Sequence, residues 1–394
     1  MQIYDRAPAP DYWNEVELRA APASAAAAAP PRSARPVLLL AAAMLLALVV
    51  GGAALALSRP TDPPPEGSVT HLAYGLDGDI YLADADNQNP VRIADGEPTD
   101  ENGELEHCST LGGEGPMWSP DGRHFAYRSQ WGDICEGIVY LSDAEGRPVA
   151  SFPGTGWLIS WSPDSTRVAT WVELFETVGI YGIDGERQAL LTVPPGCGSG
   201  DHDPVWSPDG ASVVVQSWRC EMPIDGSTPR RLAAGDVRAH YDWVYSPDGG
   251  RIAYVEIRGE GDRSLVIAEA NGTVLQAIDD PADVWYDSVV WSPSGDRVLF
   301  SWTPLVGHAA SDLRLVDVGT GQVMTLASEP GISPLGFSAE GDRILFSTRG
   351  LDEGPDGPIV VDGGLWSMNA DGSNPQLLVP NTTWGQWQPV TSSN

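Results

Sequence analysis

Trp118-Ser119-Pro120-Asp121-Gly122-Arg123-His124-Phe125-Ala126-Tyr127 decides the fold, because the chain keeps repeating it. An aromatic residue precedes Ser-Pro-Asp-Gly, and a short apolar strand follows. The pattern returns as Trp161-Ser162-Pro163-Asp164-Ser165, Trp206-Ser207-Pro208-Asp209-Gly210 and Tyr245-Ser246-Pro247-Asp248-Gly249. Weaker copies are Trp291-Ser292-Pro293-Ser294-Gly295 and Phe337-Ser338-Ala339-Glu340-Gly341, with a last echo in Trp387-Gln388-Pro389. Successive serines lie 43, 45, 39, 46 and 46 residues apart, the period of a propeller blade.

The motif has the chemistry of a hairpin turn. Proline presets φ at the first turn position, Asp suits the next, and glycine supplies the left-handed residue that starts the return strand. The same chemistry accounts for the aspartates, so they are not read as metal ligands or catalytic acids. The aromatic ends the incoming strand and is expected to pack between blades.

Each motif is followed by a second hairpin, over 138–152, 178–193, 222–232, 265–278, 313–326 and 365–379. A further hairpin over 80–93 precedes the first motif, and ahead of it stands a lone strand, 69–74. With strands labelled A to D outward, this gives seven B-C-D sets. The seventh A strand must be 384–390, which then completes the first blade. The expectation is an all-β, seven-bladed propeller over 68–390 whose C-terminal strand closes the ring and so removes open sheet edges.

The Trp-Ser-Pro-Asp-Gly turns and the Met368-Asn369-Ala370-Asp371-Gly372-Ser373-Asn374-Pro375 hairpin resemble TolB-type, WD-like bacterial propeller repeats. That resemblance implies the propeller fold and leaves the function open. It also implies, for TolB itself, six blades and an N-terminal α/β domain. Here an apolar segment occupies the place of that domain, so a TolB role in outer-membrane maintenance does not carry over.

The apolar segment is Val37–Leu57, VLLLAAAMLLALVVGGAALAL, without a charge. As a helix its 21 residues would span about 32 Å, close to the hydrocarbon thickness of a bilayer. Ala54 and Ala56 offer a signal-peptidase pattern, but the long, partly acidic stretch in front favours a retained anchor. Arg32 and Arg35 before it, against Arg59 after it, put residues 1–36 in the cytoplasm and the propeller outside the cell. Residues 58–67 read as a stiff proline-rich linker. Residues 1–36 are expected to be largely disordered. Within them, 10–20 has the pattern of a short helix, and Tyr12, Trp13 and Val16 form its candidate partner motif; a cytoplasmic regulator or the membrane surface would have to hold it.

In such blades the A–B and C–D turns share one face, while the B–C and D–A loops share the other. The long connections, 94–116, 128–137, 194–204, 233–241, 279–287, 302–311 and 348–363, all fall on the second face, which is the candidate binding surface. Trp131, Trp157, Trp218, Trp285 and Trp302 are candidate anchors there for peptide or glycan, joined by His107, His202 and His240. His202, Asp203, His240 and Asp242 are weak metal candidates, since no compact ligand motif exists; no metal or cofactor is expected. Cys108 and Cys135 fall in two loops on one face of the second blade, and Cys197 and Cys220 in the equivalent loops of the fourth. The expectation is two disulfides, Cys108–Cys135 and Cys197–Cys220, as an exterior location allows.

With 54 acidic side chains against 22 basic ones, none of them lysine, the net charge is −32. A general nucleic-acid binder is excluded, because phosphate affinity needs a basic face. Residues 1–57 balance, with four arginines against four acids, so the entire excess lies in 58–394, part of it in the acidic run 95–106. That favours a basic or cation-bearing partner.

No G-x-S-x-G elbow, P-loop or dinucleotide fingerprint occurs. The leading functional expectation is therefore a membrane-tethered, extracytoplasmic module or scaffold that binds protein, peptide or glycan, not an enzyme. One alternative is a transmembrane sensor with an anti-sigma-like cytoplasmic tail. The other is a propeller hydrolase or lyase that assembles its site from several blades.

Overall fold

The computed structural model describes residues 71–94, 115–131, 136–154, 159–172, 176–194, 204–215, 220–231, 241–258, 262–279, 284–304, 310–354 and 357–389. The chain divides into two units, Met1–Val69 and Thr70–Asn394. The expected anchor 37–57, the linker 58–67 and the tail with Tyr12, Trp13 and Val16 lie outside the described residues. Among the described residues no helix is long and apolar enough to cross a membrane.

The second unit is seven four-stranded antiparallel sheets. The first combines β1 (His71–Leu76), β2 (Asp79–Asp84) and β3 (Val91–Ala94) with β28 (Gly385–Trp387) from the other end of the chain. Blade 2 is β4 (Met117–Trp118), β5 (His124–Trp131), β6 (Glu136–Asp143) and β7 (Pro148–Pro153). Blade 3 is β8 (Ser160–Trp161), β9 (Arg167–Val172), β10 (Thr177–Gly182) and β11 (Arg187–Thr192). Blade 4 is β12 (Pro204–Trp206), β13 (Ser212–Val215), β14 (Cys220–Pro223) and β15 (Arg230–Arg231). Blade 5 is β16 (Tyr241–Tyr245), β17 (Arg251–Arg258), β18 (Asp262–Glu269) and β19 (Val274–Asp279). Blade 6 is β20 (Val284–Trp291), β21 (Arg297–Pro304), β22 (Ser311–Asp317) and β23 (Val323–Glu329). Blade 7 is β24 (Ser333–Phe337), β25 (Arg343–Gly354), β26 (Gly357–Asn369) and β27 (Gln376–Pro380).

The seventh A strand is where the repeat arithmetic required it. β28 pairs with β1 through Leu72↔Trp387, Ala73↔Gln386 and Tyr74↔Gly385. Side chains tighten this seam: the Gln386 Oε1 accepts from the Trp118 amide at 2.7 Å, and the Gln388 Nε2 donates to the Gly122 carbonyl at 2.7 Å. Ring closure thus joins blades 1 and 2 as well as the first and last strands, β1 and β28.

Each junction between blades has its own apolar cluster. Phe152 and Tyr181, for example, stack at 4.2 Å between blades 2 and 3, beside the buried Val139, Leu141 and Val168. Strand alternation accounts for this, since residues of one face of a B or C strand meet one neighbour and those of the other face meet the next. Val214 packs with Ile252 and Tyr254 of blade 5, whereas Val213 and Val215 pack with Trp171 and Ile180 of blade 3.

The motif aromatics sit in these junctions. Trp118, Trp161, Trp206 and Trp291 each donate the indole N–H to an A-strand carbonyl of the preceding blade, at Gln386, Met117, Ser160 and Val244, over 3.0–3.1 Å. At six junctions the residue that opens the B strand of one blade covers the aromatic of the next. His71 stacks on Trp118 and His124 on Trp161, both at 6.4 Å. Arg167 lies over Trp206 at 4.7 Å, Arg251 over Trp291 at 5.7 Å, Arg297 over Phe337 at 5.5 Å and Arg343 over Trp387 at 5.0 Å.

Several of the expected connections are strand: 128–131 belong to β5, 284–287 to β20 and 302–304 to β21. Residues 349–354 and 357–362 are not an irregular loop but the outer half of a hairpin, paired from Arg349↔Asp362 to Gly354↔Gly357. The β-branched run Ile359-Val360-Val361 supplies the strand propensity. Gly350-Leu351-Asp352-Glu353-Gly354, with one apolar residue, hid its partner from a hydrophobic-pattern reading.

Candidate binding face

Antiparallel strands put the Ser-Pro-Asp-Gly turns on one face of the ring, and there the polar groups are consumed by the turns themselves. The Ser119 hydroxyl donates to Asp121 Oδ1 at 2.6 Å and accepts from the His124 amide at 3.1 Å. Asp121 Oδ1 also accepts the Arg123 amide, and the Gly122 amide closes the turn on the Ser119 carbonyl at 2.8 Å. Ser162–Asp164, Ser207–Asp209 and Ser246–Asp248 repeat the lock at 2.5–2.6 Å.

The two decayed copies restore it by another route. Ser294 and Glu340 stand where the other blades have Asp, and a carboxylate four residues after the serine takes over. Ser292 donates to Asp296 at 2.8 Å, and Ser338 to Asp342 at 2.7 Å. The Asp-Arg pairs at 296–297 and 342–343 were visible in the sequence, but no turn rule singled them out.

These bonds set the carboxylates' acidity. Burial pushes Asp164 up, but donation from Ser162 and Thr166, with Arg167 alongside, outweighs it and holds the group at about 2. The Ser207 and Ser246 hydroxyls, joined by backbone amides, hold Asp209 and Asp248 below the usual carboxylate range. Ser294 does the same for Asp296. Ionised carboxylates with their oxygens occupied by turn donors are poor acids and poor bases.

A cavity of about 840 Å³ opens on this turn face, between blades 6 and 7, lined by Arg297, Met324, Asp317, Glu340 and Asp371 among others. Two of its carboxylates are also engaged in turns: Asp317 accepts the Thr320 amide at 2.7 Å and Asp371 the Ser373 amide at 2.9 Å.

Of the sequence candidates, Trp131, Trp285, Trp302, Asp242 and Cys220 fall within the described residues. Trp131 is the last residue of β5, opposite Glu136, and Trp285 lies in β20, opposite Thr303. Asp242 falls within β16. Trp302 is the one anchor candidate whose side-chain surroundings are described. It is half-buried against the blade 5/6 core, with the Arg314 guanidinium 3.9 Å above its ring and Arg314 paired to Asp312 at 2.9 Å. Its indole therefore serves packing, and its Nε1 is buried without a hydrogen-bond partner.

Cys220 opens β14, opposite Val215, fully buried. Among the described residues no cysteine carries a free thiol. Trp157, Trp218, His107, His202, Asp203, His240, Cys108, Cys135, Cys197 and the acidic run 95–106 lie outside the described residues. Among the described residues no three His, Cys, Asp or Glu side chains are grouped to hold a metal ion.

A closed seven-bladed propeller with one face of stereotyped Ser-Asp turns and one of longer connections defines a repeat-built β protein of the TolB kind. A family model described as the TolB beta propeller domain matches residues 79–303, more than half of the chain, and the protein belongs to that family. Over 256 residues, 59% of this chain and 83% of the relative, it is 28% identical to the uncharacterized protein Atu1656 of Agrobacterium fabrum. Among solved structures, TolB from Acinetobacter baumannii is similar at 19% identity and a TM-score of 0.47, over 87% of this chain and 71% of that one. A functionally unknown protein from Desulfotomaculum acetoxidans is similar at 12% identity and a TM-score of 0.50, over 82% of this chain and 100% of that one. At such identities the structures speak for the fold alone.

Proposed function

We propose that this protein is a membrane-tethered, extracytoplasmic binding module that takes a protein, peptide or glycan on the B–C/D–A face. The carrying observation is the contrast between the faces. On the turn face the Ser and Asp groups of the motif are committed to internal bonds, which leaves that side little to offer a partner. The other face holds the longer connections and the extended blade 7 hairpin. Function in scaffolds of this kind resides on such connections.

The remaining parts of the reading rest on sequence. Residues 37–57 anchor the chain with 1–36 in the cytoplasm. The excess of acid in 58–394 selects a basic or cation-bearing partner. Cys108–Cys135 and Cys197–Cys220 form disulfides outside the cell, a pairing supported by the lack of a free thiol at the buried Cys220.

Affinity capture from envelope fractions with the full-length protein tests the face. Replacing Trp131 and Trp285 together with alanine is expected to abolish recovery of the partner while the ring stays folded. Recovery equal to wild type rejects this face as the binding surface.

A further inference from the structure

Blade 7 differs from the others in one respect. Its B strand, β25, has 12 residues, whereas the B strands of blades 2, 5 and 6 have 8 and those of blades 1, 3 and 4 have 6 or fewer. The surplus over the longest of them is four residues, about 13 Å of strand at some 3.3 Å per residue.

Among the described residues the surplus has no inner neighbour. β24 pairs with β25 only as far as Ser333↔Ser347, and the last backbone bond on that side runs from the Arg349 amide to the Pro330 carbonyl at 2.9 Å. Beyond it, Gly350-Leu351-Asp352-Glu353-Gly354 is paired with β26 on one side, and no strand among the described residues pairs with the other. On the far edge of the arm β27 likewise stops at Gly364↔Pro380, and there Pro358 removes an amide from the β26 edge. The two edges are therefore not equivalent. The β25 edge keeps every amide, and its terminal glycines allow close approach of another backbone.

A strand edge without a paired neighbour is a template for one more strand. Charge decides which strand fits. Residues 349–362 carry Arg349 against Asp352, Glu353, Asp356 and Asp362, a net charge of −3. A second copy of the arm would meet its own charge. An extended segment with alternating arginine or lysine would pair it across the strands.

We propose that the β25 edge at Gly350–Gly354 captures a basic, extended peptide segment by strand addition. This rests on the reading of the B–C/D–A face as the binding surface and gives that face a mode of recognition. Main-chain bonds supply affinity, and the acids at 352, 353 and 362 select the sequence.

The test measures binding of a fluorescent acetyl-(Arg-Val)₄-amide peptide to the full-length protein by anisotropy. The same peptide methylated at alternate backbone nitrogens, which keeps the charge and removes the edge donors, is the second probe. In the shortened protein Leu351–Val360 is replaced by Asn-Gly, a two-residue hairpin loop that keeps Gly350 opposite Val361. The expected result is at least about a tenfold loss of affinity both for the methylated peptide and for the shortened protein, with an unchanged unfolding midpoint. Should the shortened protein fail to fold, the two peptides on the wild type decide alone. Equal affinity of the two peptides overturns strand addition, as does no binding to the intact protein or a dimer that disappears when the arm is shortened. In each of those cases partner capture that still depends on Trp131 and Trp285 leaves the face reading standing, and only loss of that dependence removes it.

Discussion

The indole of Trp206 donates to the carbonyl of Ser160, one blade back, at 3.0 Å. The same bond links Trp161 to Met117, Trp291 to Val244 and Trp118 to Gln386, so one side-chain type ties consecutive innermost strands around the ring. The A strands β4 and β8 are only two residues long and β12 only three, too short to hold their place by ladder bonds alone. Replacing Trp206 by Phe keeps most of the packing but leaves the Ser160 carbonyl without this donor. The expected cost is about 1–3 kcal/mol in denaturant-unfolding free energy. The junctions at Tyr245 and Phe337 carry no indole, so Phe337→Leu is expected to cost packing and the ring under the Arg297 guanidinium, but no hydrogen bond.

Arg167 adds a second tie at the same junction. Its guanidinium lies over the Trp206 ring at 4.7 Å and donates to the Gly210 carbonyl at 3.2 Å. A lysine keeps the charge but not the planar fork that does both at once. Arg167→Lys is expected to lose about as much stability as Arg167→Ala, roughly 1–2 kcal/mol. Full retention of wild-type stability by the lysine variant would show that charge alone is at work.

Closure of the ring rests on a close approach at Gly122. This residue has φ near +65°, and a Cβ placed there would stand 2.1 Å from the Pro389 carbonyl oxygen. Gly226 has a similar φ of +78° but open space around it. Gly226→Ala should therefore cost only the left-handed backbone term, about 1–2 kcal/mol. Gly122→Ala should cost more, because the C-terminal strand must shift, and it should also raise susceptibility to proteolysis near residue 389. Equal unfolding midpoints for the two variants would show that Gly122 does not hold the seam.

Much of this architecture was legible because a propeller is one local rule repeated. The spacing of Ser119, Ser162, Ser207, Ser246, Ser292 and Ser338 gave the blade period, and the unpaired strand at the start demanded a partner at the end, which is β28. Less legible was whatever depends on two blades at once. Arg167 looks like a surface residue after a turn until Trp206 is placed beneath it. Trp302 has the sequence look of an exposed anchor, yet Arg314 and the blade 5/6 core claim it. The arm was missed for a different reason. Gly350 to Gly354 contains one apolar residue in five, so period-2 hydrophobicity had nothing to show, and the strand follows only from pairing with Ile359 to Val361.

Acid should weaken the ring through the turn locks, and the sign follows from the carboxylates. Asp164, Asp209, Asp248 and Asp296 all have folded-state values below the ordinary one, Asp164 at about 2. A depressed carboxyl contributes stability that is fully present above the unfolded value of about 3.9, and lost as pH falls through the folded value. The unfolding midpoint is therefore expected to hold steady above about pH 5 and to fall between there and about pH 2. Asp164→Asn keeps a turn acceptor but cannot ionise. It should be less stable than wild type at neutral pH, and the difference should shrink below pH 4 as the wild-type carboxyl takes up its proton. A gap that stays constant down to pH 2 would mean that Asp164 holds the turn by shape and that its charge contributes nothing.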